Sequence, residues 1–150
     1  RSYQFILDMQ ELTFESKLAQ ILAVDTRYHV DAYLFVKDAL EFTQKLVARR
    51  DTRLTRKHVT GQELLEGIRQ YGLEQYGPMT KTVLEEWGVT RCEDFGEIVF
   101  NMVEVGLLGK TESDSRDDFK NGYSFDDAFR KPFLPSSASS KPTEPSSNPA

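Results

Sequence analysis

The sequence predicts a mainly α fold: a five-helix single domain over residues 12–134, closed by a short C-terminal β-hairpin or arm and winged-helix-like over residues 60–130. Three observations carry that expectation. Apolar residues recur at helical spacing in five segments. Capping signals and glycine stops separate the segments from one another. From Pro135 onward the composition changes abruptly, to PSSASSKPTEPSSNPA.

The first helix is expected from about Leu12 to Val24, with Phe14, Leu18, Ile21 and Leu22 on one stripe. Residues 1–11 stand before it as an N-terminal extension. Met9 is followed by QELTFESKLAQIL, which reads as a fresh helix start. Two readings stand: Met9 is the natural start, or the chain is a fragment. Asp25-Thr-Arg-Tyr-His29 is a loop. A second helix spans about Asp31 to Arg50, because Val36, Ala39, Leu40, Thr43, Leu46 and Val47 fall on one buried face. Tyr33, Phe35 and Phe42 widen that face and make this the central helix.

The third helix opens with Thr60-Gly-Gln-Glu63, a capping box in which each side chain satisfies an amide of the other's turn. Leu64, Leu65, Ile68 and Tyr71 continue its stripe. Gly77-Pro78 ends it and starts a fourth helix with proline in the first turn. Val83, Leu84 and Trp87 form the fourth helix's apolar face, and Gly88 stops it. A second box, Thr90-Arg-Cys-Glu93, opens the fifth helix, which carries Phe95, Ile98, Val99, Met102 and Val103.

Leu107-Leu108-Gly-Lys110 and Phe119 to Phe125 are then expected as the two strands of a hairpin, with the polar loop 111–118 as the wing. A plain α-helical bundle with a small C-terminal hairpin or an irregular arm is the competing reading. Phe125 to Phe133 is expected as a short closing helix or turn. Residues 135–150 lack apolar side chains that could offset ordering entropy and are expected to be a disordered Ser/Pro tail.

Composition excludes several classes. The 150 residues are 39% hydrophobic and 29% charged, with formal net charge -5, enough for a core without covalent staples. One cysteine, Cys92, excludes an internal disulfide framework and makes a reducing cytoplasm the expected compartment. No run approaches the roughly 18 apolar residues of a membrane helix, and residues 1–10 do not form a signal peptide. Neither glycine-rich phosphate loop occurs, so no cofactor is implied.

The stretches GQELLEGIRQYGLEQYGPMTKTVLEEWGV and EDFGEIVFNMVEVGLL, with RYHVDAYLFVKDALEFT upstream and SFDDAF downstream, resemble a family of small uncharacterised proteins. That family is largely restricted to planctomycetes and verrucomicrobia. The resemblance covers about residues 10 to 130. It implies a bacterial, intracellular single-domain protein whose members begin close to the first helix. The family has no assigned activity and supplies no catalytic residues.

Candidate chemistry is sparse. His29, His58 and Cys92 are scattered and lack the spacing of a structural zinc site. Cys92 lies in a helix's first turn, but Glu93 and Asp94 oppose a thiolate there, so a small core or surface cysteine is the better reading. The acidic run Glu112-Ser-Asp114-Ser-Arg-Asp117-Asp118 lacks the glycine and glutamate of a calcium loop and reads as a solvated loop. Tyr71, Tyr76 and Trp87 lie at core-like spacing, with a pocket as the sharper alternative.

Two charged patches remain. Lys45, Arg49, Arg50, Arg53, Arg56 and Lys57 form a basic stretch against a single Asp51 and can contact phosphates or an acidic partner. The polar face of the fifth helix carries Glu93, Asp94, Glu97, Asn101 and Glu104. Against phosphates that face costs repulsion, so a winged helix here would not read DNA with its usual helix. The expected function is a non-enzymatic protein–protein interaction or adaptor role, with the acidic face, or the apolar groove beside it, meeting another protein. The alternative is a nucleic-acid-associated regulatory protein that uses residues 45–57.

Overall fold

The computed structural model describes the backbone of residues 2–50 and 58–135 and the side chains of 13–50 and 58–135. The expected tail, from residue 136, lies outside the described residues. The five helices are α1 (Ser2–Val24), α2 (Val30–Arg50), α3 (Gly61–Tyr76), α4 (Thr80–Glu86) and α5 (Cys92–Glu104). The mainly α expectation holds. Helix α1 begins at Ser2 rather than near Leu12, because no proline or glycine interrupts residues 2–24.

Helix α2 is the axis of the fold. Tyr33, Val36 and Ala39 on it are fully buried. It crosses α3 where Thr43 meets Gly67: a Cβ at Gly67 would overlap the Thr43 Oγ1 and approach its Cβ to 2.8 Å. The Thr43 hydroxyl is satisfied inside its own helix, donating to the Ala39 carbonyl at 2.7 Å. Helix α5 lies across the same axis through Phe95, Ile98 and Met102, all buried.

The Thr60–Glu63 capping box forms as expected, with Glu63 N–H donating to Thr60 Oγ1 at 3.1 Å and Thr60 N–H to Glu63 Oε1 at 3.0 Å. At α5 the box shifts by one residue. Asp94, not Glu93, reaches back, and its Oδ2 accepts from Thr90 N–H at 2.9 Å and Arg91 N–H at 3.3 Å. The helix begins one residue later than the threonine register requires. Gly88 ends α4 with φ +90°, and a Cβ there would also overlap the Arg27 carbonyl oxygen. The glycine therefore lets the α4–α5 turn rest on the α1–α2 loop.

The expected C-terminal β-hairpin does not form, and with it the winged-helix topology over residues 60–130 is lost. Among the described residues there is no strand. The Leu107 and Leu108 amides both turn back to the Met102 carbonyl, at 2.8 and 3.3 Å, so they wrap the end of α5 instead of pairing with a strand. The polar loop is folded on itself. Ser115 caps a 3-10 turn over Arg116–Phe119, accepting from Asp117 N–H at 2.9 Å. The aromatic spacing of Phe119, Tyr123 and Phe125 suggested strand alternation, but it serves a different purpose. Phe119 and Phe125 are buried core anchors, and the Tyr123 hydroxyl donates to the Leu65 carbonyl at 2.7 Å. A single π-helical turn (Asp126–Arg130) follows and seats Phe129 in the core, edge-on to Phe125 at 5.1 Å. Of the two forms the competing bundle reading left open, a small hairpin or an irregular arm, the irregular arm is the one observed among the described residues.

Candidate functional site

Loop order near the first candidate face starts with Asp25. Arg27 forks onto it through Nε at 3.0 Å and Nη2 at 2.7 Å. Those hydrogen bonds hold the Asp25 carboxyl well below the usual carboxylate range, against the opposing effect of burial, with Asn101 adding to them. His29 turns the chain into α2, its Nδ1 accepting from Asp31 N–H at 3.0 Å.

This loop engages much of the acidic face expected on the fifth helix. Asp94 is only 8% exposed, and its Oδ1 accepts from the Tyr28 hydroxyl at 2.7 Å. Burial and then this neighbour push the Tyr28 phenol well above its usual range. Glu97 pairs with Arg27 at 3.2 Å and with Arg116 at 3.4 Å. Asn101 donates to Asp25 at 2.9 Å and to the Tyr33 hydroxyl at 3.0 Å. Glu93 is half-buried and Glu104 exposed. Three of the five residues of that face thus hold α5 to its neighbours.

Of the basic stretch, Lys45, Arg49 and Arg50 are exposed on the last turns of α2. Arg53, Arg56 and Lys57 lie outside the described residues. Cys92 is buried and donates weakly to the Tyr123 carbonyl at 3.4 Å. Burial pushes its thiol up to about 11. The aromatic residues with core-like spacing surround Phe35, whose ring centre lies 5.5 Å from Tyr71, 6.1 Å from Tyr76 and 5.6 Å from Trp87.

A pocket of about 480 Å³ opens between α2, the start of α3, α5 and the segment 107–119. Its volume falls in the range of small-molecule sites. Leu40, Leu64, Val99, Val103 and Leu108 supply an apolar wall. The other end is polar and includes Gln44, His58, Thr60, Lys110, Thr111 and Asp114. His58 Nε2 pairs with Asp114 Oδ2 at 3.2 Å across the mouth. Thr111 N–H donates to the same oxygen at 2.8 Å. Burial would raise the Asp114 carboxyl, but the Thr111 amide and then His58 outweigh it and hold it below its usual range.

The segment that roofs this pocket is pinned at several points. Arg116 lies over the Phe100 ring at 5.1 Å in addition to its pair with Glu97. Gln62 donates to the Asp118 carbonyl at 2.7 Å. The sequence leaves His58 as a scattered histidine and Asp114 in a solvated loop. The structure pairs them across 56 residues, with the Asp114 side chain only 15% exposed. No local spacing signals such a pair.

Among the described residues, no group of three or more His, Cys, Asp or Glu side chains stands together as a metal site. Among the same residues, no helix is long and apolar enough to cross a membrane. No protein-family model, curated protein or solved structure matches this chain.

Proposed function

We propose that this chain is a non-enzymatic interaction protein that binds through the pocket between α2, α5 and residues 107–119, and not through the acidic face of α5. The observation that carries the reading is the pocket itself, about 480 Å³ with an apolar wall and a hydrogen-bonding end. The internal pairing of Asp94, Glu97 and Asn101 supports the move away from the acidic face. The resemblance to planctomycete and verrucomicrobial proteins assigns no activity, so the reading rests on geometry and chemistry.

The test compares what co-purifies with the chain and with two variants. Val103→Trp fills the pocket from its apolar wall; Glu93→Lys/Glu104→Lys reverses the outer charges of α5. The bound species, identified by native mass spectrometry, is expected to be lost from the first variant and kept by the second. The opposite pattern returns the binding surface to the acidic face.

A second proposal is phosphate binding by the basic stretch, supported by the exposure of Lys45, Arg49 and Arg50. Its signature is a partner removed by nuclease and by rising salt.

A further inference from the structure

The polar end of the pocket carries both signs of charge. Lys110 and His58 stand on it together with Asp114 and Asp118. His58 and Asp114 face one another at 3.2 Å, and Lys110 Nζ donates to the Thr111 carbonyl at 3.3 Å. A charged head finds no unengaged counter-charge there: Asp114 already pairs with His58, Asp118 accepts the Ser115 amide and Lys110 donates to the Thr111 carbonyl. Such a head also leaves water for a half-enclosed site next to leucine and valine side chains, a costly transfer.

An uncharged polar group meets no such penalty and finds complementary partners. Thr60 Oγ1 accepts from the Glu63 amide, which leaves its own O–H to donate. Asp114 Oδ1 lies 3.3 Å from His58 Nε2, while Oδ2 takes the Thr111 amide, so lone pairs remain for an incoming O–H or N–H. The carboxyl of Asp114 stays ionised and therefore an acceptor, because the Thr111 amide and His58 lower its pKa despite burial. The apolar wall of Leu40, Leu64, Val99, Val103 and Leu108 runs on from this end.

We infer that the ligand of this pocket is an amphiphile with an aliphatic body and an uncharged hydrogen-bonding head, an alcohol or a primary amide, with the body on the α2–α5 wall and the head between Thr60 and Asp114. The inference rests on the proposed pocket-binding function and adds the chemical class of the occupant.

Four eight-carbon probes that differ only in the head test it: 1-octanol, octanamide, octanoate and octylammonium, titrated calorimetrically into the full chain near neutral pH. The expected result is binding of octanol and octanamide, with both charged probes about tenfold weaker or worse. Val103→Trp is expected to abolish all binding; Leu108→Trp fills the same space from a different element, should the first variant fold poorly. Asp114→Asn is expected to weaken octanol, which loses its ionised acceptor, and to narrow the gap between octanol and octanoate. Octanoate or octylammonium binding as tightly as octanol overturns the head-group assignment and leaves the pocket function standing. Binding by none of the four, or binding indifferent to both tryptophan variants, overturns the pocket function as well.

Discussion

The Tyr28 hydroxyl donates to Asp94 Oδ1 at 2.7 Å, joining the α1–α2 loop to the first turn of α5 across 66 residues. The other carboxylate oxygen of Asp94 caps that turn through the Thr90 and Arg91 amides. One side chain thus closes a helix end and fixes where the helix sits.

Removing either partner should cost stability unequally. Tyr28→Phe leaves one buried acceptor unsatisfied, and a loss of about 1–3 kcal/mol is expected. Asp94→Ala removes the cap as well, for about 2–4 kcal/mol. Urea unfolding of both single variants and the double variant checks this. The double variant should be less unstable than the sum, because the two side chains share one interaction.

The α2–α3 crossing has no room for a methyl group at Gly67. Gly67→Ala should destabilise by about 1–3 kcal/mol through overpacking. Thr43→Ala in the same chain should recover part of that loss, since it removes the overlapping Oγ1 and the Cγ2 and leaves only the close Cβ–Cβ approach. If the double variant is no more stable than Gly67→Ala alone, the crossing is not where the structure puts it.

Burial makes Cys92 a poor nucleophile. Its thiol, pushed up to about 11, leaves little thiolate at neutral pH, and the sulfur is buried as well. Alkylation of the folded chain by iodoacetamide should run more than about a hundredfold slower than in urea. Stability held by the neutral thiol is full below about pH 8.5. It declines as the pH rises toward about 11. Cys92→Ala should flatten that alkaline decline.

Asp114 behaves in the opposite sense. Its carboxyl is lowered in the folded chain, so the stability it contributes is present above the ordinary aspartate range. That contribution is lost as the pH falls below about 3.9 toward the lowered value. Hydrogen exchange at the Thr111 amide should therefore accelerate in that acid window before the core amides do. Asp114→Asn should remove the pH dependence and keep an acceptor for the amide.

Much of the helical framework was legible in the sequence. The apolar spacing of α2, the Thr60–Glu63 box, the Gly77-Pro78 break and the Gly88 stop are local signals, and each lies within a few residues of what it controls. The candidate site was far less legible. Its walls come from α2, α3, α5 and the segment 107–119, and His58 meets Asp114 only once those elements have packed.

The sequence by itself determined the mainly α character, the identity of α2 as the central helix and the aromatic residues that fill the core, because periodicity and capping act over one or two turns of chain. Tertiary structure decided the rest. It turned Phe119, Tyr123 and Phe125 from an expected strand into separate anchors, because Gly96, Leu65 and Phe95 offered them partners that no neighbouring residue could. It moved the α5 cap from Glu93 to Asp94, where a carboxylate can serve the helix and Tyr28 together. It also drew three residues of the acidic face inward, because Arg27, Arg116, Tyr28, Tyr33 and Asp25 converge on them from distant parts of the chain.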